Sequence, residues 1–147
     1  MIGSGVIITL LICFAGAIYG LFFYTGSTKE IVAVADQLQV DPSWKLDSES
    51  IHPPQSFCID VECPSVSRNW ITSNPIEKSD LEQITKASGW NLSIDGNCNL
   101  DRLLAGSPTG YCEARGVVDE YEVIVAAIGS SSSPDEYRLS LSVVEKN

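Results

Sequence analysis

Cysteine is the residue type here whose spacing speaks most directly to chemistry, with Cys58, Cys63, Cys98 and Cys112 lying in the distal part of the chain. A redox dithiol calls for two thiols with two residues between them at a helix N-terminus, where the thiolate is stabilised. Between Cys58 and Cys63 stand Ile59, Asp60, Val61 and Glu62, and the two acids oppose thiolate formation. A four-cysteine zinc site needs two close pairs, and Cys98 and Cys112 are too far apart in sequence to form one knuckle. Structural disulfides are the better reading. Four cysteines allow three pairings. Cys58 with Cys63 and Cys98 with Cys112 is the favoured set, because local loops close at the smallest entropic cost. A bridge closing the longer loop contributes about 3 kcal/mol by the chain-entropy argument.

Other chemistry is harder to build from these residues. A Ser-His-Asp or Cys-His arrangement needs a positioned imidazole. The single histidine, His52, is followed by two prolines and reads as a solvated loop residue. No pair is singled out among the 19 acidic residues as a glycosidase-type couple. Asp95, Asn97, Asn99 and Asp101 alternate like the opening of a calcium loop, but Leu100 and Gly106 stand where that loop needs Gly and Glu. Asn91-Leu92-Ser93 is a glycosylation sequon, meaningful only in a eukaryotic secretory pathway. There is no Gly-rich phosphate loop and no basic patch. A formal net charge of −10 repels phosphate backbones and anionic lipid headgroups, so nucleic acid is not an expected partner. The expectation is a non-enzymatic protein with no metal and no cofactor.

The elements that carry these residues begin with an uncharged run from Val6 to Tyr24, VIITLLICFAGAIYGLFFY. About 20 apolar residues in a helix span a hydrocarbon core of roughly 30 Å. A cleaved signal peptide would have basic residues before a shorter run, and neither is present. Lipidation of Cys13 would want a small residue before it, where Ile12 stands. Residues 1–27 are therefore read as a retained transmembrane anchor, and residues 28–147 as one domain. Thr9, Cys13, Gly16 and Gly20 share one helical stripe, and Gly16 to Gly20 is a GxxxG spacing that lets another helix approach closely. Glycine is also simply common in membrane helices. Orientation is contested: Lys29 after the run argues weakly for a cytoplasmic domain, whereas paired cysteines argue for an oxidising compartment. The cysteines outweigh one lysine, which leaves the N-terminus cytoplasmic and the domain outside.

Within the domain, Ile31, Val34, Ala35 and Leu38 predict a helix over 28–40, stopped at Asp41-Pro42. A strand-like piece surrounds Trp44 to Leu46, followed by an irregular stretch with Pro53 and Pro54. Alternation predicts a strand over SVSRNWITS, where Arg68 and Trp70 are candidate partner contacts, though a half-buried structural Trp is the plainer reading. Ser79-Asp80-Leu81-Glu82 reads as a capping box opening a helix that Gly89 ends. Strands are expected over 90–95, 111–118, 121–128 and 136–144, the middle two joined at Asp119-Glu120 and the last two by the serine tract 130–134. The pattern is α+β: a small antiparallel sheet packed with one or two helices, stapled by disulfides behind a single transmembrane helix.

Several of these pieces together resemble small membrane-anchored envelope proteins of actinobacteria. They are PSW at Pro42 to Trp44, FC at Phe57-Cys58, CPSVSRNW from Cys63 to Trp70, GW at Gly89-Trp90, DGNC from Asp95 to Cys98, YCEARG from Tyr111 to Gly116, and EYRLSL from Glu136. The resemblance covers most of the distal domain. It implies a cell-envelope location and no catalytic activity. The expected function is an accessory subunit of a larger membrane complex, its helix packed against other integral membrane subunits. A free-standing tethered binding module is the alternative.

Overall fold

The computed structural model describes residues 28–53, 64–96, 111–129 and 136–146. The apolar run with Thr9, Cys13, Gly16 and Gly20 lies outside the described residues, as do Cys58, Cys63, Cys98 and the serine tract. Among the described residues no helix is long and apolar enough to cross a membrane.

The fold is α+β. Strands β1 (Lys45–His52), β2 (Ser65–Thr72), β3 (Ser93–Gly96), β4 (Tyr111–Val118), β5 (Tyr121–Gly129) and β6 (Tyr137–Glu145) form one six-stranded sheet. Its order is β1-β2-β6-β5-β4-β3, and every neighbouring pair is antiparallel. The last strand of the chain thus lies inside the sheet. Tyr137, Leu139, Leu141 and Val143 alternate with more exposed neighbours, and all four are buried on one face. Val125 pairs with Leu141 and Val123 with Val143, so their side chains extend the same apolar layer. Each such side chain contributes about 1.5–3 kcal/mol when fully buried.

Two helical segments cover that face: residues 28–35 (α1) and Lys78–Ala87 (α2). Ile31, Val34 and Ala35 from the first, and Leu81 and Ile84 from the second, join one buried cluster with the sheet. The opposite face presents Ser67, Asn69, Ser140 and Ser142 beside Ile124, all half-buried. This is the alternation of a sheet with one dry face.

Local structure departs from expectation in four places. The first helix ends at residue 35, not at 40. Gln37 and Leu38 make shorter turn bonds to Val34 and Ala35, and the Gln39 N–H donates to Ser88 Oγ at 2.8 Å. The residue that caps the C-terminal end of α2 thus captures the backbone group that a longer α1 would use. The second helix is capped two residues earlier than predicted, with Glu77 as N-cap and Asp80 as its reciprocal partner. Asp80 Oδ2 accepts the Glu77 N–H at 2.7 Å. Fully buried Ile76 and Leu81 occupy the positions of a hydrophobic staple around this cap, and burying Ile76 sets where the helix starts.

The third departure is β1, which is eight residues long where only Trp44 to Leu46 looked strand-like. Every residue of β1 is exposed, and its register shifts between Leu46 and Ser48, so it lacks a periodic signal. Exposed charge and a bulge are common protection for an edge strand. The fourth is β3, which starts at Ser93 rather than Trp90. Trp90 belongs to the helix end instead, its N–H bonded to Thr85 O and its indole N–H donated to Gln37 Oε1 at 3.1 Å.

Other expectations hold. Gly89, at φ 76°, ends α2 with bonds from Gly89 to Lys86 and from Trp90 to Thr85, the Schellman pattern. The hairpin of β4 and β5 turns at Asp119-Glu120, with Asp119 at φ 55°, a region that Asp tolerates better than most residues.

A candidate docking groove beside Trp44

Asp41-Pro42-Ser43-Trp44 forms a tight turn between α1 and β1. The Trp44 N–H donates to Asp41 O at 3.0 Å, and the Ser43 N–H donates to Asp41 Oδ1 at 2.8 Å. Asp in the first position and Pro in the second favour this turn. The Ser43 bonds favour the ionised form of the Asp41 carboxyl and hold its pKa below the ordinary aspartate range. This turn faces one side of α2, where Asp80, Gln83, Ile84 and Ala87 recur at helical spacing. Between them runs a groove of about 250 Å³.

Trp44 is half-buried and packs on the core from one wall, and Ile84 contributes a buried floor. Gln39, Asp41, Asp80 and Gln83 supply the polar groups, and among the described residues no lysine or arginine lines the groove. A second groove, of about 400 Å³, lies on the other side of the same turn, between Ser43, the end of β2 at Ile71 to Asn74, and Glu136. The register sets where these grooves sit. Lys45, Ile71 and Arg138 are level with one another, at the opposite end of the sheet from His52, Ser65 and Val144. That opposite end includes the Asp119-Glu120 hairpin and lies beside Glu30 of α1. Tyr121 there is pushed above its usual pKa by burial, and Glu30, Glu120, Glu145 and Asp119 add to the effect.

Arg68 and Trp70 lie on the helix-covered face, level with Leu141 and Leu139. The Arg68 guanidinium is engaged internally: Nε bonds Glu49 Oε1 and a terminal nitrogen bonds Asp36 Oδ1, each at 2.6 Å. Burial alone would lower the pKa of this group, but its bonds to the two carboxylates outweigh that and raise it. Trp70 is half-buried and packs against the core. Cys112 is fully buried on β4 and is disulfide-bonded. No bridge has both of its cysteines among the described residues.

His52 Nε2 lies 3.0 Å from Ser50 Oγ, but both side chains stand on the exposed edge strand, and among the described residues no carboxylate bonds the imidazole. Among the described residues no group of His, Cys, Asp and Glu is arranged to hold a metal ion. The Trp44 groove is not legible in the amino-acid sequence. Its only signal was a tryptophan in a polar stretch, and the other wall lies about forty residues later, in α2.

No known protein family, curated protein or solved structure matches this chain.

Proposed function

We propose that this protein is a non-enzymatic accessory subunit of a larger membrane complex, anchored by residues 1–27 with its domain on the outer face. The observation that supports this reading is where the chain enters the described domain: α1 starts at the acidic end of the sheet, away from both grooves. The apolar run ends at Tyr24, just before the helical residues that begin at 28. The sheet end beside Glu30 is acidic, and both grooves lie at the other end. On this proposal an anchor joined to the chain there leaves both grooves on the side of the domain facing away from the membrane.

Two further observations support the reading. The disulfide-bonded state of Cys112 suits an oxidising compartment. The stripe of Thr9, Cys13, Gly16 and Gly20 gives a neighbouring helix a close approach. The resemblance to actinobacterial envelope proteins belongs to the same proposal.

Solubilising the native membrane in mild detergent and sizing the product tests this reading. The expected result is a particle much larger than the 15.9 kDa chain, reduced by bulky substitutions at Gly16 and Gly20. A monodisperse monomer would refute it and favour the free-standing binding module, for which the stripe is dispensable.

A further inference from the structure

We propose that the groove between the Asp41–Trp44 turn and α2 takes an arginine or lysine side chain from an extended segment of a partner protein. The proposal rests on the accessory-subunit reading and identifies where and how the outer domain engages its partner.

The chemistry of the walls selects this occupant. Val40, Trp44 and Ile84 offer an apolar floor for an aliphatic stem, while Asp41 and Asp80 offer carboxylates for its cationic head. Trp44 adds a ring face over which a guanidinium or ammonium can sit. The Ser43 N–H bond to Asp41 Oδ1 fixes that carboxylate at the rim of the groove and favours its charged form. Size narrows the choice further. Pockets for drug-sized molecules run from about 300 to 1,000 Å³. A groove of about 250 Å³ falls below that range and suits one long side chain. The neighbouring groove, which Ser43 and Glu136 line, is the less suited of the two, since the Glu136 carboxylate already pairs with Arg138 at 3.6 Å. The net charge of −10 steers a basic segment toward the domain, whereas an acidic or nucleic-acid partner is repelled.

The test uses the full-length, isotope-labelled protein in neutral detergent micelles. The probes are a blocked Gly-Arg-Arg-Gly peptide and its citrulline counterpart, which keeps shape and loses charge. The arginine peptide is expected to shift the Trp44 indole N–H and Gln83 amide resonances saturably, and the citrulline peptide to leave them unmoved. W44L is expected to weaken binding about tenfold, the loss of roughly one cation–π contact. D41N keeps the turn, since an amide oxygen still accepts the Ser43 N–H, and is expected to weaken binding and flatten its salt dependence. Shifts spread over Glu122 and Glu145 with Trp44 unmoved would overturn the proposal, as would equal binding by both variants. If the large particle forms but the peptide does not bind, this inference fails and the accessory reading stands. If the peptide binds but no particle forms, the accessory reading fails and the groove survives it.

Discussion

The guanidinium of Arg68 joins three pieces of chain far apart in sequence: Asp36 after α1, Glu49 on β1, and its own strand β2. Its side chain is only 14% exposed, but Asp36 is 59% exposed, so solvent screens part of the attraction. Arg68→Met is expected to cost about 1–2 kcal/mol in denaturant unfolding, below the range for a fully buried charged network. Arg68→Lys recovers little of that, because an ammonium lacks the fork that reaches two carboxylates at once. Unchanged midpoints in both variants would show that the triad is ornamental. Tyr121 makes a prediction about pH. Its raised pKa means that the folded state holds the phenol neutral while the unfolded chain ionises near pH 10. The stability it supplies is therefore complete below that pH and is lost as pH rises through the folded pKa. Tyr121→Phe is expected to flatten the alkaline fall in unfolding midpoint and to leave neutral pH nearly unaffected.

At the scale of elements, α2 ends in a way that the rest of the front layer depends upon. Ser88 Oγ donates to Ile84 O and accepts the Gln39 N–H, while Trp90 reaches Gln37, so the helix end fastens the chain leaving α1. Gly89 sits at φ 76° with no atom within 4 Å of an added Cβ. The cost of Gly89→Ala is then conformational alone, about 1–2 kcal/mol for a left-handed alanine. Thermal unfolding measures it directly, and a neutral result would mean that the helix end can rearrange. The interior position of β6 makes its core residues costlier. Leu141 is fully buried and faces Val125 across the ladder, so Leu141→Ala is expected to lose about 2–5 kcal/mol. A loss below 1 kcal/mol would place Leu141 outside the working core.

For the whole molecule, the sheet order bears on disulfide pairing. Cys112 pairs across the ladder with Gly96, so Cys98 follows its register partner by two residues. Cys63 adjoins Pro64 before β2, and β6 and β5 stand between β2 and β4. Three strand spacings put those strands about 14 Å apart. Cys112 is also level with Leu139 and Trp70, at the far end of β2 from Cys63. A disulfide needs Cα atoms within about 7 Å. Peptide mapping without reductant is therefore expected to recover Cys98 with Cys112 and Cys58 with Cys63. A fragment joining Cys112 to Cys63 would contradict the strand order itself.

Much of this protein was legible one segment at a time. The strict alternation of β6, the Asp119-Glu120 hairpin and the glycine that ends α2 are local signals, set by residue types a few positions apart. The sequence by itself also determined an uncharged N-terminal run and a strongly acidic remainder. Other features are decided by contacts between distant segments. The end of α1 depends on Ser88, the start of α2 on burying Ile76, and β1 on pairing with β2, since its exposed polar residues carry no pattern of their own. The groove is of the same kind. Its turn is local, but only packing against α2 brings Asp80 and Gln83 opposite Asp41 and Trp44, because nothing in either segment encodes the position of the other.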